Sequence, residues 1–317
     1  MSGHAALPTR EAIVATAGET IARGSKSFAV ASRLFDRETR ERAWLLYAWC
    51  RACDDIADAQ ELGHGMERVE DGPARLAVIR TATETALAGE VVGDPAFDAL
   101  RIVAAETGLP HALAYDLIEG FALDAREWRP RTENDLLTYC YHVAGVVGRM
   151  MAVVMGVDPA DEATLTRATD LGLAFQLANI ARDIEEDGRV GRCYLPIEWL
   201  VEMDMPPGEH FRPWYRERLA VLAGRLARMA GEYEQSARVG AAALSFRQAW
   251  AVLAAADIYG GIARKVAARG PKAWDHRVTT SKAEKLGAVV RSCGAAARRK
   301  TQPFPPRPGH LWVRETR

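Results

Sequence analysis

Asp54, Asp55 and Asp58 crowd into "AWCRACDDIADAQ", residues 48–60. Carboxylates this close repel one another, and two settings offset that repulsion: solvation at a helix end, or a divalent cation. Residues three and four apart are neighbours on a helix, so Tyr47, Arg51, Asp54 and Asp58 form one stripe. Trp44, Leu45, Trp49 and Ala52 oppose it and are expected to pack into a core. Alone, the stripe fits a solvated helix end as well as a cation site.

A second stripe lies in "LGLAFQLANIARDIEEDGRVGRCYLP", residues 171–196. Gln176, Asn179, Asp183 and Asp187 recur at helical spacing, and each offers an oxygen or an amide. Leu173, Ala174, Leu177, Ile180 and Ile184 occupy the other side. Two such helices facing each other across a cavity would suit Mg²⁺, which keeps several waters and takes one or two carboxylates plus phosphate oxygens. Softer metals favour histidine or cysteine, and neither stripe offers histidine. Arg51, Arg182, Arg189 and Arg192 flank the stripes. Cation and guanidinium together are what a diphosphate leaving group needs as its carbon–oxygen bond breaks.

The elements that must carry these stripes read as helices throughout. Asp36 is placed to cap a helix over "RETRERAWLLYAWCRACDDIAD", with Glu38 in its first turn. Asp94-Pro95, Leu109-Pro110 and Asp158-Pro159 put proline where a first helical turn accepts it. Thr132, followed by Glu133 and Asp135, marks a start before "LLTYCYHVAGVVGRMMAVVMG". Alanine-rich stretches such as "ERLAVLAGRLARMAGEYEQSA" and "FRQAWAVLAAADIYGGIARKVAA" keep the helical apolar period, and alternating strand-like runs are nearly absent. One all-α domain of roughly ten helices is expected over residues 1–290.

Residues 291–317 differ. Seven basic residues (Arg291, Arg298, Arg299, Lys300, Arg307, Arg314 and Arg317) face one acid, Glu315, around "PFPPRPGHLW". This basic, proline-containing tail reads either as a loosely ordered end or as a contact for anionic lipid, with Trp312 at the interface. The whole chain carries a formal charge of −1, which gives a nucleic-acid partner no electrostatic support. No apolar run approaches the roughly 18 residues of a membrane span, and no secretory signal is visible, so a cytoplasmic protein is expected. Five cysteines, including Cys50 and Cys53, lack the partners of a zinc set and are expected to be plain buried thiols.

These residues resemble the squalene and phytoene synthase family, most closely its bacterial phytoene-forming members. The resemblance runs from about Ser25 to Lys285 through "SKSF" (25–28), "YAWCRACDDIAD" (47–58), "YHVAGVVG" (141–148) and "QLANIARDIEEDGRVGRCYLP" (176–196). The last segment is very specific to the family; the first aspartate motif is shared more widely. The resemblance implies a single-domain, all-α isoprenoid-synthase bundle around a central cavity. It implies that Asp54, Asp58, Asn179, Asp183 and Asp187 hold Mg²⁺, with Mn²⁺ as a substitute, on the substrates' diphosphates. It further implies diphosphate contacts from Arg51, Arg182, Tyr259, Arg277 and Lys285, and substrate contacts from Ser25, Lys26, Ser27 and Phe28. Tyr47, Tyr141 and Gln176 are implied to line the reaction chamber, the two tyrosines sharing catalysis with the four aspartates. Gly145 and Gly148 would each cost about 1 kcal/mol in a helix interior, which close packing of a substrate chain or a helix would explain. Many relatives carry a polar residue before "SKSF", where this chain has Gly24.

The reaction implied is head-to-head condensation of two geranylgeranyl diphosphates through prephytoene diphosphate to phytoene, the first committed carotenoid step. NADPH is not expected. Prenyl diphosphates, peripheral contact with the inner face of the membrane and other carotenoid-pathway enzymes are the expected partners. Rival readings are a squalene or dehydrosqualene synthase acting on farnesyl diphosphate, a chain-elongating prenyltransferase or terpene cyclase, and a non-catalytic helical assembly factor. The last tends to lose the aspartates, which all stand here.

Overall fold

The computed structural model describes residues 8–58, 71–206, 208–301 and 304–314; the side chains of Lys26, Ser27 and Asp58 lie outside that description. No strand occurs among the described residues, which form thirteen α-helices. The first six are α1 (Arg10–Gly24), α2 (Lys26–Ser32), α3 (Arg37–Asp58), α4 (Gly72–Leu87), α5 (Pro95–Thr107) and α6 (His111–Ala125). Next come α7 (Glu133–Cys140), a π-helical turn (Tyr141–Gly145), α8 (Val146–Val154), α9 (Glu162–Arg189) and α10 (Ile197–Glu202). The series closes with α11 (Arg216–Gly240), α12 (Phe246–Arg269) and α13 (Lys282–Arg298).

Caps explain most of these boundaries. The Asp36 carboxylate accepts from the Thr39 amide at 2.9 Å before α3, Asp94 caps α5, and Thr132 forms a reciprocal capping box with Asp135 at α7. Two proline starts shift. Pro110 is the N-cap of α6 rather than its first residue. α9 begins three residues beyond Pro159, because Asp161 accepts from the Thr164 amide while Asp158 closes only a local turn onto Ala160.

The 28-residue α9 runs through the middle, packed against α8, α11, α12 and the π turn, while α3 packs on α1 and α5. Leu45 and Trp49 are buried in the core, as the α3 pattern requires. α8 meets α9 at glycines: a Cβ on Gly148 would collide with the Ala168 carbonyl, and one on Gly172 with that of Ala144. A neighbouring helix, then, is what Gly148 accommodates. The stretch Glu133–Val154 is long and apolar enough to cross a membrane by length and composition, contrary to the expectation from apolar runs, and more than half of its most apolar window is buried inside the protein.

The described part of the tail is not loose. α13 runs through residues 290 and 291, so the expected boundary falls inside a helix. Residues 304–314 then fold back as a strap. Arg307 makes a two-nitrogen bond to the fully buried Asp170, at 2.7 and 2.9 Å. Trp312, expected at a lipid interface, packs on Tyr141 and donates its indole N–H to Asn134 at 2.8 Å.

Candidate active site

Both stripes open onto one cavity of about 350 Å³. α3 contributes Tyr47, Cys50, Arg51 and Asp54; α9 contributes Gln176, Asn179, Ile180, Arg182, Asp183 and Asp187. α6 adds Leu117, Phe121 and Asp124, again at helical spacing, and Tyr139, Val143 and Val147 come from the α7–π–α8 segment. Arg192 and Tyr194, just beyond α9, complete the wall. One part of the wall is therefore acidic, amide-bearing and basic, and another apolar and aromatic.

Arg51, Arg182 and Arg277 are each tied to an acid. Arg51 reaches Asp54 at 2.5 Å, and the Arg182 guanidinium grips Asp183 through Nε at 2.8 Å and through Nη2. Arg277 reaches the same Asp183 at 3.1 Å and Glu186 at 2.9 Å from the loop before α13. Trp274 donates to the Ala181 carbonyl at 3.2 Å, bracing α9 at the site. Burial, and next the charge of Asp183, push the Asp187 carboxyl up to about 7. Burial likewise pushes the Cys50 thiol up to about 12 and Cys53 well above its usual value, as expected of unreactive thiols.

Among the described residues, no three histidine, cysteine, aspartate or glutamate side chains gather into a ready-made cation site. The oxygen donors instead stand around the cavity, Asp54 on α3 and Asn179, Asp183 and Asp187 on α9. Hard donors with open positions between them suit Mg²⁺ that completes its shell with water and phosphate oxygens. The raised Asp187 points the same way, since its ionised form is under-compensated in this wall. Asp58 ends α3, and its side chain, with those of Lys26 and Ser27, falls outside the description.

Other expected residues stand back from the cavity. The Ser25 hydroxyl accepts from the Phe28 amide at 3.3 Å, capping α2. Phe28 packs on Tyr47 with ring centres 5.7 Å apart, and Tyr259 stacks on Phe175 at 4.2 Å. Lys285 lies half-buried in the first turn of α13, away from the cavity wall. At Gly24, a Cβ would sit 2.6 Å from the Tyr47 hydroxyl, so in this chain Tyr47 fills the room a side chain would need.

Tyr141 does not line the cavity. It is 2 % exposed and donates its hydroxyl to Asp116 at 2.8 Å. Residues two apart on a helix point to opposite sides, so with Tyr139 and Val143 inward Tyr141 must face out. Tyr139 takes the inward place. Its hydroxyl and that of Tyr194 both donate to Asp124, at 3.0 and 3.3 Å, and the two rings stack at 4.9 Å. Sequence reasoning missed this group; the available signal was the shared phase of Tyr139, Val143 and Val147.

A sequence profile described as squalene/phytoene synthase matches residues 21–284. The chain is 47 % identical to the 15-cis-phytoene synthase of Pantoea ananas over 298 residues, covering 93 % of this chain and 96 % of that one. It is also 47 % identical to the phytoene synthase of Pseudescherichia vulneris over 300 residues, covering 94 % and 96 %. Among solved structures, a dehydrosqualene synthase in complex with ligand superposes with a TM-score of 0.80 at 26 % identity, covering 90 % of this chain and 96 % of that one. With its helical frame and the two stripes on one cavity, the chain belongs to the squalene/phytoene synthase family.

Proposed function

We infer that this protein is a prenyl-transferring enzyme that makes phytoene by joining two geranylgeranyl diphosphates head to head through prephytoene diphosphate. Its relatives named for phytoene synthesis support the product. The observation that carries the chemistry is that the α3 and α9 stripes share one cavity with an apolar, aromatic wall.

The reading assigns Asp54, Asn179, Asp183 and Asp187, together with Asp58, to hold Mg²⁺ on the diphosphates. Bound there, the cation would supply positive charge to oxygens that become more negative as the carbon–oxygen bond breaks. Arg51, Arg182 and Arg192 add guanidinium donors to the same oxygens, and their aspartate partners hold the first two in place. Leu117, Phe121, Val143 and Val147 exclude water from the allylic cation. Tyr47 and Tyr194 bring aromatic surface to it, with Tyr139 stacked behind Tyr194. The double bond of the second prenyl chain attacks the cation, and proton loss closes the cyclopropane. A second ionisation, rearrangement and proton loss give the hydrocarbon, with diphosphate as the proton acceptor. No hydride is consumed, so NADPH is not required. The reading puts the enzyme in the cytoplasm, in reversible contact with a membrane and with neighbouring carotenoid enzymes. Exposed Arg298 and Lys300 at the end of α13 would serve the membrane contact better than the docked Trp312.

The test is incubation of purified protein with C15 or C20 prenyl diphosphate, with and without NADPH, in Mg²⁺ or in excess EDTA, with the hydrocarbon identified by mass. Phytoene from the C20 substrate, in Mg²⁺ and without NADPH, is expected. A C30 hydrocarbon formed preferentially from the C15 substrate would replace this reading with dehydrosqualene or squalene synthesis, which the 26 % identical structural neighbour favours. Full turnover in EDTA would remove the metal assignment.

A further inference from the structure

We propose that Arg314, near the end of the chain, is a positioning residue for the reaction chamber: it holds the π turn that sets Tyr139 and Val143 against the cavity. The Arg314 guanidinium meets the Asp116 carboxylate through two nitrogens, at 2.6 and 2.7 Å. The nitrogen at 2.6 Å also donates to the Tyr141 hydroxyl at 2.8 Å, and the group lies 4.8 Å over the Tyr141 ring. Tyr141 in turn donates to Asp116, and His142 contacts the Asp116 backbone carbonyl at 2.8 Å. Trp312 packs on the Tyr141 ring, with centres 5.9 Å apart.

All these grips converge behind the chamber wall. Asp116 precedes Leu117, and Tyr141 lies between Tyr139 and Val143; those three neighbours line the cavity. The segment between them is a π turn. Such turns are rare and persist where surrounding contacts hold the extra residue in place. Relaxing it to an ordinary α-turn changes the helical phase by one residue, about 100°. That would swing Tyr139 or Val143 off the cavity. The grip works through Asp116 and Tyr141, since Arg314 itself does not line the chamber.

The inference rests on the prenyl-condensing reading, and the experiment keeps the two apart. The wild type tests the reading by its product; only the ratio of variant to wild type tests Arg314. Arg314→Ala, Arg314→Lys and Arg307→Ala are compared for kcat, KM, urea midpoint and the share of substrate captured by water as prenyl alcohol. Arg307 anchors the same strap at Asp170 on α9 rather than at Asp116 or Tyr141. Arg314→Ala is expected to lower kcat about tenfold with KM nearly unchanged, and to raise the alcohol share, because the misplaced wall misorients chains and admits water. Arg314→Lys keeps the charge without the planar fork and is expected to recover part of the turnover. Arg307→Ala is expected to lower the urea midpoint while kcat and product partition at low temperature stay at wild-type values. Unchanged kcat and partition in Arg314→Ala overturns the inference. So does no recovery with lysine, or the same catalytic loss in Arg307→Ala, which would trace the effect to loosening of the whole strap rather than to Arg314.

Discussion

Replacing Arg307 by alanine should remove the strap's most buried anchor while the Arg314–Asp116 pair still holds its far end. Asp170 has no exposed side-chain surface and Arg307 has 15 %. The carboxylate accepts two bonds from Arg307 and one from Ser236 at 2.5 Å. Removing one member of a buried ion pair typically costs about 3–5 kcal/mol, chiefly because the remaining charge is stranded away from water. Per-residue unfolding entropies for a chain of 317 residues convert this into a fall in Tm of about 5–8 °C. Asp170→Asn combined with Arg307→Met should cost less than Arg307→Ala alone, since no carboxylate is stranded and buried Arg167 beside it keeps its bonds to the Ser236 and Pro305 carbonyls. Urea denaturation followed by circular dichroism gives both differences. A melting point for Arg307→Ala within about 1 °C of wild type would refute the reasoning, as would a double variant no more stable than the single one.

Three further outcomes are expected. Asp54→Asn and Asp183→Asn should each lower turnover by about 10²–10³-fold, with the larger fall in urea midpoint at Asp183, whose carboxylate Arg182 and Arg277 both grip; a marked stability loss with normal activity would make the stripes structural. Gly148→Ala should destabilise by about 1–3 kcal/mol, because the new methyl drives α8 off the Ala168 carbonyl; denaturation at wild-type urea would contradict the close approach. His210 is 2 % exposed, and burial, then the Arg129 charge, hold it down at about 4 against an ordinary 6.5. The unfolded chain therefore binds this proton first, so its contribution is complete above about 6.5 and is lost as pH falls toward 4, by about 3 kcal/mol at most. The stability difference between wild type and His210→Gln should shrink across that window, and a constant difference would remove His210 as the cause.

The sequence was most legible where function is written as periodicity. Asp54 on α3 and Asn179, Asp183 and Asp187 on α9 repeat at helical spacing within single helices, so their common face could be read without tertiary information. Around Tyr141 the phase shared by Tyr139, Val143 and Val147 was masked. Apolar residues surround it on every side, and a π turn shifts the register, so its neighbour Tyr139 carries the inward position instead. Asp124 was invisible for a related reason: its partners Tyr139 and Tyr194 lie 15 and 70 residues away in sequence. The tail was misread because proline and unpaired-looking arginines are the local marks of a solvated end. Arg307 and Arg314 find their carboxylates only across the fold, on α9 and α6.

Those two arginines also set a timetable for the molecule. Arg307 lies 137 residues after Asp170, and Arg314 lies 198 after Asp116. A ribosome delivers the chain from its N-terminus at about 5–20 residues per second, and early segments begin to fold before late ones exist. The helices that wall the chamber can pack as they emerge, yet the latch behind Tyr141 and the counter-charge of buried Asp170 arrive only after α13 has been made. A nascent or prematurely terminated chain thus carries an aromatic ring and two carboxylates still awaiting their cover. Docking of residues 304–314 supplies that cover.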